Sequence, residues 1–254
     1  MSAALEIHAL EGLPEIASGS RLGARIAAAA AETGLVLAAT DVLVVSQKVV
    51  SKAEGRVRRL DDVEPGERAA ALAAELEKDP RLVELVLAET RRIVRARRGV
   101  LITETRQGWV CANAGIDASN VPGDDTVVLL PEDADASARR LRDEIAEGAG
   151  VRPAVIVADS FGRPWRLGQT DVAIGCTGIA PLDDWRGRRD REGRELAATA
   201  IAIADELAAA ADLARDKASG LPAVLIRGAG RWTTLDDGPG AAALRRAESD
   251  DLFR

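Results

Sequence analysis

The residues best suited to chemistry follow a short apolar run. Ala154 to Ala158 (AVIVA) is largely β-branched, the pattern of a strand buried on both faces, and it gives way abruptly to Asp159-Ser160. A carboxylate and a hydroxyl before a Gly/Pro loop (Gly162, Pro164) sit at the edge of a core, where open sheets expose their ligand groups. Oxygen donors of this kind suit a hard cation such as Mg²⁺ or Mn²⁺, and Arg163 and Arg166 would then face the phosphates it carries. The polar cluster Gln169-Thr170-Asp171 precedes a second apolar run. The alternative is a polar β-turn with a surface ion pair, because turns favour the same residue types.

Two other stretches carry comparable groups. Lys48 and Lys52 lie four apart behind the strand that Asp41 opens, with Ser46 and Ser51 close by, and either ammonium could act as a point charge on a phosphate. A solvated strand edge would look the same. In ANAGIDASNVPGDD, Asp117 and Asn120 form a second oxygen-rich loop with no lysine of its own to neutralise it. The run TRRIVRARRG (Arg91, Arg92, Arg95, Arg97, Arg98) suits an anionic ligand and equally a solvated rim.

The elements that must position these groups alternate between strands and helices. LEIHAL from Ala4 to Leu10 reads as a first strand, Ser20 as the cap of a helix over Arg21 to Thr33, and Gly34 as its C′ residue. Glu67–Lys78 and Arg81–Leu87 read as helices divided at Pro80. Val100–Thr103 and Trp109–Ala112 read as a hairpin, Thr126–Leu130 as a strand and Asp135–Glu147 as an amphipathic helix. After a charged loop over 183–191, a helix from Gly193 to about Ala214 would bury Leu196, Ala200, Ile203, Leu207 and Ala210, and Pro222–Ile226 would be a last buried strand. Neither GxxxxGK[ST] nor a strand-linked GxGxxG occurs, so the expected class is a mixed-sheet α/β (α+β) fold that is neither P-loop nor Rossmann. The 254 residues suffice for one domain, built as two closely packed lobes.

Composition excludes several kinds of chemistry. A single histidine, His8, cannot support a His-rich metal site, and two distant cysteines without CxxC spacing suggest core thiols in a reducing cytoplasm. A net charge of -7 with four Trp, two Phe and no Tyr argues against a nucleic-acid surface. No apolar run is long enough to span a membrane, so a soluble, cytoplasmic protein is expected.

Taken together, GLPE at 12–15, VVSQKVVSKAEGR at 44–56, ITETRQGWVCANAGIDASNV at 102–121, ADSFGRPWRLGQTDVAIG at 158–175 and PAVLIRG at 222–228 resemble the coenzyme F420-0:L-glutamate ligase family. Members are GTP-dependent enzymes that add γ-linked glutamates to a deazaflavin coenzyme, and the resemblance runs in order over nearly the whole chain. It implies that GTP phosphorylates the terminal carboxylate of F420-0 and that the amine of L-glutamate attacks the resulting acyl phosphate. It also implies Mg²⁺ or Mn²⁺, a K⁺ ion, an unusual mixed α/β fold and a homodimer. Some relatives carry a C-terminal flavin domain, and the expectation here is the ligase alone.

Carried over by position, the resemblance implies that Leu13, Pro14, Glu15, Ile16, Gln47, Lys52 and Asn120 contact the nucleotide. Asp117, Asp159 and Ser160 would hold the divalent ions, with Asp159 and Lys52 central to catalysis. One segment departs: where many members have Met-Gly and then Glu or Gln, this chain has Arg215-Asp216-Lys217, and a lysine cannot coordinate a cation. A metal-dependent phosphohydrolase and a non-catalytic nucleotide- or deazaflavin-binding module remain alternatives, because metal loops alone do not distinguish attack by water from attack by an amine.

Overall fold

The computed structural model describes residues 4–119, 123, 125–215 and 219–252; Asn120, Asp216 and Lys217 fall outside them. The chain opens with β1 (Glu6–Ala9), α1 (Leu22–Glu32), β2 (Val42–Ser46), α2 (Gln47–Ala53) and β3 (Val57–Arg59). It continues with α3 (Glu67–Leu76), α4 (Pro80–Glu89), β4 (Thr90–Arg97), β5 (Val100–Thr105), β6 (Val110–Ala112) and β7 (Thr126–Val128). Then come α5 (Ala134–Ala149), β8 (Ala154–Arg163), β9 (Arg166–Thr177), β10 (Asp183–Asp184), β11 (Ala200–Ile201), α6 (Ile203–Asp212) and β12 (Ala223–Arg227).

A five-stranded mixed sheet in the order β1-β12-β2-β8-β9 carries the main core. Only β2 and β8 run parallel; the other neighbours are antiparallel. The unbroken apolar runs in β2 and β8 follow from burial on both faces. Leu43, Val45, Val155 and Val157 pack under α1 and α5, whereas Val42, Val44, Ala154, Ile156 and Ala158 pack against α6. The alanine stripes of α1 and α6 supply apolar faces with little side-chain entropy to lose. A separate cluster, including Leu76, Val86, Leu101 and Val127, fills the space between α3, α4 and the smaller sheets β4-β5-β6 and β3-β7.

Several local expectations are corrected. Ser20 does not cap α1: the capping position is Arg21, without a side-chain bond, and Ser20 Oγ accepts instead from the Ala17 amide at 3.3 Å. Gly34 adopts φ +75°, as a residue following a helix end does. Asp79 caps α4 through its side chain, with Pro80 at the first helical position. The helix expected from Gly193 begins only at Ile203. Residues before it pair in a strand-like excursion, Leu196 N donating to Arg188 O at 2.8 Å and β11 pairing with β10, so Ala200 is exposed.

The expected loop after Ala158 is also a strand. β8 runs on to Arg163 and turns through Pro164-Trp165 into β9, so Asp159 and Ser160 lie inside a strand of a long hairpin. Arg163 and Arg166 pair at its exposed tip, away from the residues that line the cavity described below.

Candidate active site

The site arises because β2 and β8 part company. Their parallel pairing ends at Ser46 and Ala158, where β2 turns at once into α2 while β8 continues beside β9. A cavity of about 310 Å³ occupies the space beside the continuing hairpin, and the start of β12, at Leu221-Pro222, borders it. By strand alternation Asp159 falls on the face of Val155 and Val157, and Ser160 on the face of Ile156 and Ala158. Both line the cavity, one from each face of the hairpin. A register shift opposite Val157 and Ala158, which leaves Ile174 as the extra residue of β9, keeps the two strands in step on each face.

The sequence-derived candidates converge here. Leu13, Pro14, Glu15 and Ile16 line the cavity from the segment after β1, Gln47 and Lys52 from α2, and Asp117, Asp159 and Ser160 from the opposite side; Asn120 is outside the described residues. Buried Gln47 accepts from Ser51 Oγ at 2.9 Å, which fixes its amide. Lys52 Nζ lies 2.5 Å from Glu15 Oε1.

Asp117 has a lysine after all. Lys48 Nζ lies 2.9 Å from Asp117 Oδ2 and also donates to Ser119 O and Oγ, a partnership over 71 residues from Ser119 that local spacing did not reveal. Burial penalises the Asp117 charge, but the Ser119 amide and hydroxyl and the Lys48 ammonium outweigh it and hold the carboxyl below its ordinary range. Asp159 differs. Burial pushes its carboxyl up to about 7, and the nearby Asp171 and Asp117 charges act in the same direction against the Ser160 amide and Lys48.

Asp171, Asp212 and Arg215 also line the cavity, although sequence reasoning gave none of them a role in the site. Arg215 Nη2 pairs with Asp171, 44 residues away, and Ser160 Oγ donates to Asp171 Oδ1 at 2.6 Å. The only sequence signal was the polar cluster at 169–171 interrupting an apolar strand. Cys111 offers no competing nucleophile, because burial and the Asp159 charge push its thiol up to about 12.

Among the described residues, no three His, Cys, Asp or Glu side chains converge closely enough to hold a metal unaided. The donors are all oxygen, however, and among the described residues Asp159 makes no ion pair while its charge is penalised by burial. That charge deficit fits a hard divalent cation whose other ligands come from substrate phosphates and water, as is usual for Mg²⁺.

The chain matches the family model described as F420-0:Gamma-glutamyl ligase over residues 12–228, a span that includes every residue lining the cavity. It belongs to that family. Similar relatives named Coenzyme F420:L-glutamate ligase include one from Methanothermobacter thermautotrophicus, 41% identical over 251 residues, which covers 98% of this chain and 99% of the relative. One from Methanopyrus kandleri is 48% identical over 216 residues, 84% of this chain and 85% of the relative. A third, from Haloarcula marismortui, is 42% identical over 257 aligned residues, 98% and 96% of the two chains. Family membership thus covers both the sheet and the site, and it identifies the chain as a ligase. No helix among the described residues is long and apolar enough to cross a membrane.

Proposed function

We propose that this enzyme is a GTP-dependent ligase that joins L-glutamate to the deazaflavin coenzyme F420-0 in amide linkage, with further γ-linked additions, through an acyl phosphate. The observation that carries this reading is the meeting of two lysines with Asp117 and Asp159 in one cavity of a chain from this ligase family. Phosphoryl transfer depends on positioning and charge neutralisation, and it does not require the histidine or thiolate that this site lacks.

In the first step a carboxylate oxygen of F420-0 bonds to the γ-phosphorus of GTP as the bond to GDP breaks. In the second the glutamate amine attacks the acyl carbon, the carbon–oxygen bond to phosphate breaks, and the amine loses a proton. Lys52 would exchange Glu15 for a phosphate oxygen, and buried Gln47 would orient the nucleotide. Lys48 fixes Asp117 and Ser119 at the cavity edge. Asp117, Asp159 and Ser160 would hold Mg²⁺ or Mn²⁺, which when bound would neutralise charge on the transferring phosphoryl group. The family resemblance extends this reading to a K⁺ requirement, a homodimer and a cytoplasmic setting.

The test is to incubate the protein with F420-0, GTP, Mn²⁺ and L-glutamate, and to follow GDP release and product mass. Glutamate-dependent GDP release with successive glutamyl mass additions is the expected outcome. Phosphate release independent of glutamate identifies a phosphohydrolase instead, and binding without turnover a non-catalytic module.

A further inference from the structure

Side chains from three elements meet on the face of the sheet that carries α6. Ser160 on β8 and Asp171 on β9 are cross-strand partners, and the Ser160 hydroxyl donates to Asp171 Oδ1 at 2.6 Å. Asp171 Oδ2 accepts from Arg215 Nη2. Arg215 reaches further: Nη1 donates to Pro222 O at 3.3 Å, and Nε lies 3.7 Å from Asp212 Oδ1. The guanidinium therefore ties the end of α6 to the start of β12 and both to the hairpin. The Asp171 and Arg215 side chains are only 2% and 9% exposed, yet both residues line the cavity.

Burying such a pair is an inefficient route to stability, since desolvation offsets much of the attraction and an apolar pair of similar size often serves as well. The geometry gives it another use. A carboxylate only accepts, so the Ser160 hydrogen is committed to Asp171 and the oxygen lone pairs are directed away from it. A bidentate-capable guanidinium suits the other end, because it can hold the carboxylate and a main-chain carbonyl at once, which an ammonium does less well.

We propose that Asp171 and Arg215 are a positioning pair: Asp171 orients the Ser160 hydroxyl toward the reacting groups, and Arg215 fixes the Asp171 carboxylate while clamping the 215–222 segment at the cavity edge. The proposal rests on the ligase reading above, in which Ser160 supplies an oxygen to the divalent cation. Neither member of the pair touches the reacting atoms.

The test uses the full chain with Asp171→Asn, Arg215→Gln, Arg215→Lys, Ser160→Ala and the Ser160→Ala/Asp171→Asn double variant. Mn²⁺ binding in the presence of GDP is followed by the paramagnetic resonance of free Mn²⁺, melting is recorded in chelator, and kcat and KM for GTP are measured on folded protein. Loss of an orienting partner around a metal ligand typically weakens metal binding or activity about 10- to 100-fold. Asp171→Asn, Arg215→Gln and Ser160→Ala should therefore each weaken Mn²⁺ binding and lower kcat by about tenfold or more, with KM for GTP changed far less. Arg215→Lys should recover part of the loss. In the Ser160→Ala background, Asp171→Asn should add little, because its effect passes through that hydroxyl.

Folded single variants with unchanged Mn²⁺ binding and kcat, or fully additive losses in the double variant, overturn the proposal. Ser160→Ala leaves the ion pair in place, so it decides the matter even if Arg215→Gln does not fold. An unsubstituted protein that neither binds Mn²⁺ nor forms GDP would instead overturn the ligase reading, and this inference with it.

Discussion

Lys52 Nζ stands 2.5 Å from Glu15 Oε1 and joins α2 to the segment after β1 across 37 residues. The lysine side chain is 11% exposed and the glutamate 75%, so the ammonium is the fixed partner and the carboxylate the movable one. An incoming phosphate can displace Glu15 without moving Lys52.

Lys52→Ala should accordingly raise KM for GTP about tenfold or more, since a charge-assisted hydrogen bond is worth about 1.5–3 kcal/mol. Glu15→Gln should leave it unchanged or lower it. Steady-state kinetics with GTP varied checks both, and an unaltered KM in Lys52→Ala rejects the phosphate contact.

Lys48→Ala should behave differently, because Lys48 is engaged by Asp117 and Ser119. Its removal leaves Asp117 without its ammonium. The expected result is a changed Mn²⁺ dependence, with a smaller rise in KM for GTP than in Lys52→Ala. Identical kinetics for the two variants would show that the lysines do not divide these roles.

Asp159→Asn tests the buried charge through stability. With its folded-state value raised to about 7 by burial and by Asp171 and Asp117, Asp159 stays protonated in the folded chain at pH values where the unfolded chain has already ionised. The folded state then binds the extra proton, so this group lowers stability progressively as pH rises from about 4 toward 7, and its penalty is constant above that. In chelator at pH 8, Asp159→Asn should melt at the same temperature as the unsubstituted protein or higher, and the difference should vanish near pH 4. The same variant should lose Mn²⁺-dependent turnover. A destabilised but fully active Asp159→Asn would reduce Asp159 to a structural residue.

Gly175→Ala addresses the sheet behind the site. A Cβ at this position would lie 2.2 Å from Ala134 O and 2.7 Å from Ala134 Cβ, where α5 begins against β9. Overpacking of this kind costs about 1–3 kcal/mol, which for a chain of this size lowers Tm by roughly 2–4 °C per kcal/mol. Thermal melting should show that loss, with activity per folded molecule retained. An unchanged Tm would mean that the helix start moves aside freely.

Sequence patterning revealed those parts of the fold whose signals are local. The runs at 42–45 and 154–158 announced strands buried on both faces, Asp79-Pro80 announced a helix start, and the motif residues from Leu13 to Ser160 lie around one cavity. What escaped was of two kinds. In alanine-rich stretches helical spacing arises by accident, so Leu196 and Ala200 mimicked a buried stripe that main-chain pairing to Arg188 and Asp184 rules out. Partnerships across the fold leave no local trace: Lys48 with Asp117 and Asp171 with Arg215 became visible only once β8, α2 and α6 were assembled.

The strand order has a consequence for how the chain is made. β12, the last strand in sequence, lies between β1 and β2, and so separates the two earliest strands. While the protein is being synthesised, β1 has no neighbour, and one edge of β2 stays open until residues 223–227 emerge. Pairing across such sequence separations is slow, because loop closure must precede any gain from the contacts. The open edge of β2, with Val42, Leu43, Val44 and Val45 all apolar, is then the region of the nascent chain most exposed to association with other copies. Completion of the sheet and closure of the cavity at Leu221-Pro222 are thus one late event.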